Sequence, residues 1–149
     1  KDKMTKHLAI LTQPFLNLIL EGKKTIESRF SKVRCAPHGV VQSGDVVLMK
    51  KPGGKVLGQF TVGKVLYFPN ITPEQFQKVK SYGKEICADY DPHFWESRKA
   101  ARYVTLMAVT DVIRYQTPVA VVKKDKRGWV VIQEAYQPTL FDTFEKTRE

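Results

Sequence analysis

Cysteine and histidine are scarce in this chain, and neither occurs at the spacing of a metal site. Cys35 and Cys87 stand far apart with no C-x-x-C pair, and the three histidines form no H-x-x-x-H or H-x-E pattern. Zinc sites and disulfide frameworks depend on such spacings. We therefore expect reduced cysteines, no bound metal and no cofactor, with the histidines as structural or surface residues.

Long apolar runs are also missing. No stretch approaches the about 18 consecutive apolar residues that a membrane helix needs, and the apolar residues 8–11 are interrupted at Thr12. The sequence shows no export signal. We expect a cytoplasmic protein that does not associate with membranes.

Negative charge is outnumbered by positive charge. The chain has 25 Lys and Arg against 15 Asp and Glu, which gives a formal net charge of +10. Such a surplus attracts polyanions and makes their binding dependent on salt. A generically basic protein would show the same surplus, so charge alone does not separate RNA binding from simple solubility.

The length and hydrophobic content favour one domain. A chain of 149 residues with 42% hydrophobic residues can build a single core, and a second core would lack apolar residues. We place this domain over residues 1–149, with its core at about residues 7–133. Residues 138–149 have few periodic features and are expected to be a loose tail.

Short apolar segments separated by turns predict an α+β fold. Strands are expected near residues 7–11, 23–30, 46–49, 56–68, 103–113, 118–122 and 129–132, and helices near residues 15–21, 72–82 and 91–102. Residues 46–68 and 118–132 each read as a hairpin. Because no βαβ rhythm occurs, we expect a small mixed or antiparallel β-barrel with about three flanking helices.

The octet at residues 22–29, with the sequence Gly-Lys-Lys-Thr-Ile-Glu-Ser-Arg, is the most informative segment. Gly22 can adopt the left-handed backbone that ends a helix. On the strand that follows, Glu27 and Arg29 share one face and Ile26 and Phe30 share the other. A carboxylate beside an arginine fork suits base amino groups and phosphate, although the two charges could equally neutralise each other on a solvated face.

This octet fits G-x-K-x-x-E-x-R, and through it the chain resembles the ASCH family. Two further features agree: the Gln13-Pro14 step before the helix, and the strand that starts Tyr103-Val104-Thr105-Leu106. The resemblance spans roughly residues 8–113. It implies a PUA-like barrel whose cleft binds RNA, other single-stranded nucleic acid or a nucleotide-like small molecule such as a modified nucleoside. The ligand-binding residues that it implies are Gly22, Lys24, Glu27, Arg29 and Gln13.

The resemblance leaves an enzymatic function open. Some ASCH proteins are amidohydrolases on acetylated cytidine and use the motif lysine with a threonine where this chain has Glu27, so their scheme does not transfer directly. Other relatives are ribonucleases that use a lysine and a tyrosine without a metal. By this analogy Lys24, Glu27 and Tyr103 are candidate catalytic residues of a hydrolase.

Several features could join or border this cleft. Glu85, Glu96 and Asp111 are candidate second acids or ordinary surface carboxylates. The basic turns at residues 50–55 and 123–127 could follow a phosphate backbone, and Trp129 could stack on a base or belong to the core. A protein-interaction domain that retains only the scaffold is a further alternative, since one fold hosts many functions.

Overall fold

The computed structural model describes residues 3–121 and 126–136. The strands are β1 (Lys3–Ile10), β2 (Ile26–Ser31), β3 (Val46–Lys50), β4 (Val56–Pro69), β5 (Tyr103–Val119) and β6 (Trp129–Tyr136). The helices are α1 (Phe15–Leu20), α2 (Pro73–Lys80) and α3 (Gly83–Ile86), with 3-10 turns at Ala88–Tyr90 and Glu96–Arg98. The predicted tail at residues 138–149 and most of the basic turn at residues 123–127 lie outside the described residues.

The six strands form one curled sheet in the order β2-β5-β4-β3-β1-β6. β1 and β3 run parallel, and the other neighbouring pairs are antiparallel. The sheet curls into a half-barrel with β2 and β6 at its two edges. The predicted α+β fold with a mixed barrel-like sheet and three helices is confirmed.

Two apolar clusters hold the fold together. One lies inside the curl of the sheet and includes Phe60, Met49 and Trp129. The other packs β2 and β5 against the helical side of the molecule and includes Phe94 and Ile86, with Phe30 at its margin. β2 therefore has apolar residues on the helical side, as the period of two predicted, and this leaves its other side chains available for a site.

The predicted helix start at Thr72 is confirmed. Thr72 Oγ1 accepts the Gln75 N–H at 3.1 Å, and the Gln75 side chain accepts the Thr72 N–H at 3.0 Å. This reciprocal pair is a capping box, and proline at the first helical position fits the same geometry. Two groups that the helix leaves without intrahelical partners are thereby satisfied.

The predicted hairpin at residues 118–132 is wrong. β5 continues to Val119 and pairs with β4, whereas β6 pairs antiparallel with β1. Pairing with β1 leaves Trp129 only 2% exposed and lets its Nε1–H donate to His7 Nδ1 at 3.0 Å. β1, although distant in sequence, thus buries Trp129, which pairing with the exposed end of β5 would not do.

The helix predicted at residues 91–102 is also wrong. Asp91 does cap a turn, since its Oδ1 accepts the His93 N–H at 2.9 Å, but only a 3-10 turn follows. The neighbouring residues Phe94 and Trp95 both pack into one aromatic cluster with Phe30. Two successive side chains are anchored in one cluster, whereas an amphipathic helix repeats its apolar side chains every three or four residues. The segment therefore forms a tight turn.

Two kinds of feature are absent from the residues that the structure describes. No helix in the described ranges is long and apolar enough to span a membrane. Within the same ranges, no cluster of three His, Cys, Asp or Glu side chains could hold a metal ion.

Candidate functional site

Gly22 sets the direction in which the chain leaves α1. Its φ is +81°, and its N–H donates to the Ile19 carbonyl at 3.0 Å while the Lys23 N–H donates to the Leu18 carbonyl at 2.9 Å. These two bonds form a Schellman motif, which a glycine at this position permits. The backbone of Lys24 is held in the same way, since its N–H also reaches the Leu18 carbonyl, at 3.0 Å. The helix end therefore fixes where the Lys24 side chain starts.

The Lys24 ammonium group is buried and has three acceptors. Nζ donates to the Ile26 carbonyl at 2.8 Å and to the Ile86 carbonyl at 2.9 Å, and it lies 3.4 Å from Glu27 Oε1. An ammonium group has three N–H donors, so these contacts use all of them. Burial lowers the pKa of Lys24, and the nearby Glu27 carboxylate opposes that shift. Lys24 thus ties α3 to β2 and orients Glu27.

Glu27 lies between two cations. Its Oε1 faces Lys24, and its Oε2 accepts a hydrogen bond from Arg29 Nη1 at 3.1 Å. The Glu27 side chain is only 4% exposed. Two cationic partners of this kind offset part of the cost of burying a carboxylate. The period of two predicted that Glu27 and Arg29 share a face, and the structure shows that they do.

Arg29 bridges the opening between the two edge strands. Besides Glu27, its Nη1 donates to the Ile10 carbonyl and its Nη2 to the Gly128 carbonyl, both at 3.2 Å. Its guanidinium carbon lies 5.3 Å from the Trp129 ring centroid, within the range of a cation–π contact. One arginine from β2 therefore reaches the end of β1 and the start of β6. Its side chain keeps 23% exposure to solvent.

These side chains line a pocket of about 440 Å³, which we call the first pocket. It combines cations, a carboxylate, hydroxyl groups and phenylalanine rings. Its lining residues are Ile10, Leu11, Thr12, Phe15, Lys24, Glu27, Ser28, Arg29, Phe30, Phe94, Ser97 and Arg98. The first pocket therefore offers flat apolar faces and charged hydrogen-bonding groups side by side.

Sequence reasoning missed Arg98 as a residue of this pocket. Its guanidinium carbon lies 3.7 Å from the Phe94 ring centroid, and its Nη1 donates to the Phe94 carbonyl at 3.0 Å. The same group lies 5.6 Å from the Phe30 ring centroid. The spacing of four residues between Phe94 and Arg98 was the available signal, but it was assigned to a helix that does not form.

Two of the predicted ligand-binding residues do not line the first pocket. Gln13 is exposed, and its Oε1 accepts the Asn17 N–H at 3.0 Å, so it caps the start of α1. Gly22 shapes the approach to the pocket without contributing to its wall. Lys24, Glu27 and Arg29 are brought together.

Tyr103 lies in a neighbouring pocket rather than beside Lys24. That second pocket measures about 240 Å³ and also includes His38, Arg29 and Trp129. The pairing of Lys24 with Tyr103 in a ribonuclease scheme stays a prediction from the resemblance. Trp129 belongs to the core, which was one of its two predicted roles, and it also borders the second pocket.

The three later carboxylates lie away from the first pocket. Glu85, Glu96 and Asp111 are all exposed, and none of them lines it. Glu96 instead pairs with Lys99 on the surface. Among the described residues, Glu27 is therefore the carboxylate that lines the first pocket.

Residues 10–141 match the family model of the ASCH domain. This chain belongs to the ASCH domain family. The octet at residues 22–29 lies inside the matched range, so the resemblance inferred from it is confirmed at the level of the family. In sequence, no curated protein matches this ASCH domain significantly.

Solved structures share the fold of this ASCH domain. An ASCH protein from Zymomonas mobilis superimposes with a TM-score of 0.63 at 13% identity, covering 96% of this chain and 94% of that chain. A serine-to-alanine variant of that protein gives a TM-score of 0.65 at 12% identity with the same coverage. A tyrosine-to-phenylalanine variant gives 0.63 at 14% identity, covering 96% of each chain. At such identities the likeness establishes the shared architecture alone.

Proposed function

We propose that this ASCH domain binds RNA or a modified nucleoside in the first pocket, through Lys24, Glu27 and Arg29. One observation carries the proposal: the Glu27 carboxylate is buried, with a cation at each oxygen, inside a pocket that phenylalanine rings also line. Burying the charged pair Lys24 and Glu27 is costly, and fixing a carboxylate for a ligand is a use that justifies the cost.

A fixed carboxylate suits the edge of a nucleobase. Each carboxylate oxygen has two lone pairs, so Glu27 can accept a further hydrogen bond beside each of its cation contacts. Exocyclic amino groups of bases are the donors that Glu and Asp accept in nucleic-acid recognition. The ring of Phe15, which lines the same pocket and is partly exposed, provides apolar surface on which a base can stack.

Phosphate groups match the cations at the pocket wall. Arg98 and Arg29 both line the pocket, and the Arg29 side chain is partly exposed. A guanidinium group offers a planar fork that fits phosphate oxygens. The formal net charge of +10 adds a longer-range attraction that salt weakens.

The geometry favours binding over hydrolysis. The three donors of Lys24 are occupied by two backbone carbonyls and Glu27, which suits a positioning cation better than a reactive amine. Among the described residues, no histidine, tyrosine, cysteine or second carboxylate lines the first pocket. Thr25, the threonine of the octet, is exposed. General acid–base catalysis usually needs a second free titratable group, and the amine of Lys24 is already held by its three acceptors.

Fluorescence anisotropy with fluorescein-labelled single-stranded RNA tests the proposal. We expect Glu27→Gln to weaken binding at least about tenfold, since it removes a charge-assisted hydrogen bond from a buried site. Glu21→Gln is the matched control, because Glu21 is an exposed carboxylate near the same motif, and it should bind like the native chain. Raising the salt from about 50 mM to about 200 mM should weaken native binding steeply.

Three results would contradict the proposal. Equal affinity of folded Glu27→Gln and native protein would remove Glu27 from the site, and circular dichroism establishes that the variant is folded. Absence of RNA binding, together with binding to a protein partner that Glu27→Gln leaves unchanged, would favour an interaction domain. Cleavage of the RNA, or deacetylation of acetylated cytidine in a parallel incubation, would favour a hydrolase.

A further inference from the structure

A second pocket lies next to the first and shares its wall. Arg29 and Phe30 line both pockets. We propose that the second pocket receives the neighbouring nucleotide, so that the ligand is a single-stranded oligonucleotide of at least two units rather than a free nucleoside. This inference rests on the proposed function and specifies its ligand class.

The second pocket has the composition of a base-stacking site. Its lining includes the rings of Tyr103, His38 and Trp129, and the centroids of His38 and Tyr103 lie 5.2 Å apart. Aromatic rings in a groove accept any base, since every base has a π face. Burial, helped by the positive charge of Arg34, lowers the pKa of His38, so its ring is neutral at physiological pH. The pocket therefore offers the partly exposed ring of Tyr103, beside the buried rings of His38 and Trp129 and the cations Arg29 and Arg127.

Arg29 stands where a phosphodiester would join two bound nucleotides. Its hydrogen bonds to Glu27, Ile10 and Gly128 leave donor capacity on Nε and Nη2 among the described contacts. The side chain is also partly exposed, so a phosphate can approach it. A cation held at the shared wall of two base-sized pockets suits the single negative charge between two nucleosides.

Gly128 permits this placement of Arg29. A Cβ atom at residue 128 would lie 3.0 Å from Arg29 Nη2, which is closer than side chains normally pack. With glycine there, the guanidinium group reaches the backbone carbonyl of residue 128 itself. The residue just before β6 thus leaves room for the Arg29 guanidinium at the wall that the two pockets share.

This assignment gives Tyr103 a stacking role. Lys24 lines the first pocket and Tyr103 the second. In this proposal the ring of Tyr103 makes the contact with the base. Tyr103→Phe keeps the ring and Tyr103→Ala removes it. The two variants therefore separate a stacking residue from one that acts through its hydroxyl.

Isothermal titration calorimetry of the full chain tests the inference. The probes are the four ribonucleoside 5′-monophosphates and the four matching 5′-phosphorylated homodinucleotides. For the base that binds best, we expect the dinucleotide to bind native protein about tenfold more tightly than the mononucleotide. Tyr103→Ala should abolish that gain and leave mononucleotide binding unchanged, and Tyr103→Phe should keep it. Tyr90→Ala, at an exposed tyrosine, is the control and should keep it too.

The outcomes distinguish a failure of this inference from a failure of the proposed function. Mononucleotide binding that depends on Glu27 but shows no dinucleotide gain would overturn the second subsite alone. A gain that survives Tyr103→Ala would overturn it as well, and thermal melting establishes that this variant is folded. Absence of binding by every probe, together with absence of binding to the labelled single-stranded RNA, would overturn both proposals.

Discussion

Lys24 Nζ lies 3.4 Å from Glu27 Oε1, and the two side chains are only 3% and 4% exposed. A buried ion pair contributes little net stability relative to apolar residues of similar shape, because both charges lose their hydration. Removing one partner is nevertheless costly, since the other charge then stays buried without compensation. Under the proposed function, charge is retained at this position for a ligand.

A double-mutant cycle on this pair should show strong coupling. We expect Lys24→Met to destabilise the fold by about 3 kcal/mol, since Glu27 and two backbone carbonyls lose a donor. The double variant Lys24→Met/Glu27→Gln should lose clearly less than the sum of the single changes. Urea unfolding followed by circular dichroism measures each value. Additive losses would contradict the coupling, and Lys23→Met, at an exposed neighbour, should change stability little.

Gly22→Ala should cost about 1 kcal/mol through backbone strain alone. The residue has a φ of +81°, and nothing lies within 4 Å of the position that a Cβ would take. Gly83→Ala is the matched control, because that glycine has no positive φ and its nearest neighbour would lie at 3.6 Å. Thermal unfolding compares the two variants. Equal effects would show that the left-handed turn at Gly22 is not the source of the loss.

The two cysteines should differ in reactivity. Burial raises the pKa of the Cys87 thiol, although Lys24 opposes the shift, so at about pH 8 Cys87 stays protonated and shielded. Cys35 is exposed. Titration with dithionitrobenzoate should show one rapidly reacting thiol in native protein and a second after unfolding. The rapid phase should disappear in Cys35→Ser, and two rapid thiols would contradict the assignment.

Stability should fall as the pH drops through about 6.5, in part because of His38. Burial lowers the pKa of His38 in the folded chain, so the unfolded chain takes up the proton first and is favoured at acid pH. Urea unfolding between about pH 7.5 and about pH 5.5 should therefore show a smaller acid loss in His38→Gln than in native protein. His93→Gln, at an exposed histidine, should leave the loss unchanged. Identical pH profiles for all three proteins would contradict this role of His38.

Local rules explain what the sequence predicted correctly. The end of α1 at Gly22 and the capping box at Thr72 depend on residues within one turn of each other. The shared face of Glu27 and Arg29 follows from the period of a strand. The hairpin of β3 and β4 is likewise a pairing of neighbours in sequence. From such local features the sequence predicted the family, the fold class and the three charged residues of the first pocket.

Long-range packing explains what the sequence did not predict. Trp129 pairs with β1 across more than a hundred residues, which no local pattern indicates. Arg98 and Phe15 enter the first pocket because separate segments converge on β2. The aromatic cluster at Phe94 and Trp95 replaced an expected helix, and it placed Arg98 where it stacks. The second pocket around Tyr103 is likewise formed by segments that are distant in sequence, so no local pattern indicates it.

Nuclear magnetic resonance of the ¹⁵N-labelled chain, titrated with the best-binding mononucleotide, tests most directly whether the first pocket holds a nucleotide. We predict that the largest backbone amide shifts fall on pocket residues, among them Leu11, Thr12, Ser28 and Ser97. These shifts should be lost in Glu27→Gln and retained in Glu21→Gln. Shifts that spare the first pocket and cluster on a remote surface, or that persist unchanged in folded Glu27→Gln, would contradict a nucleotide site built on the buried carboxylate.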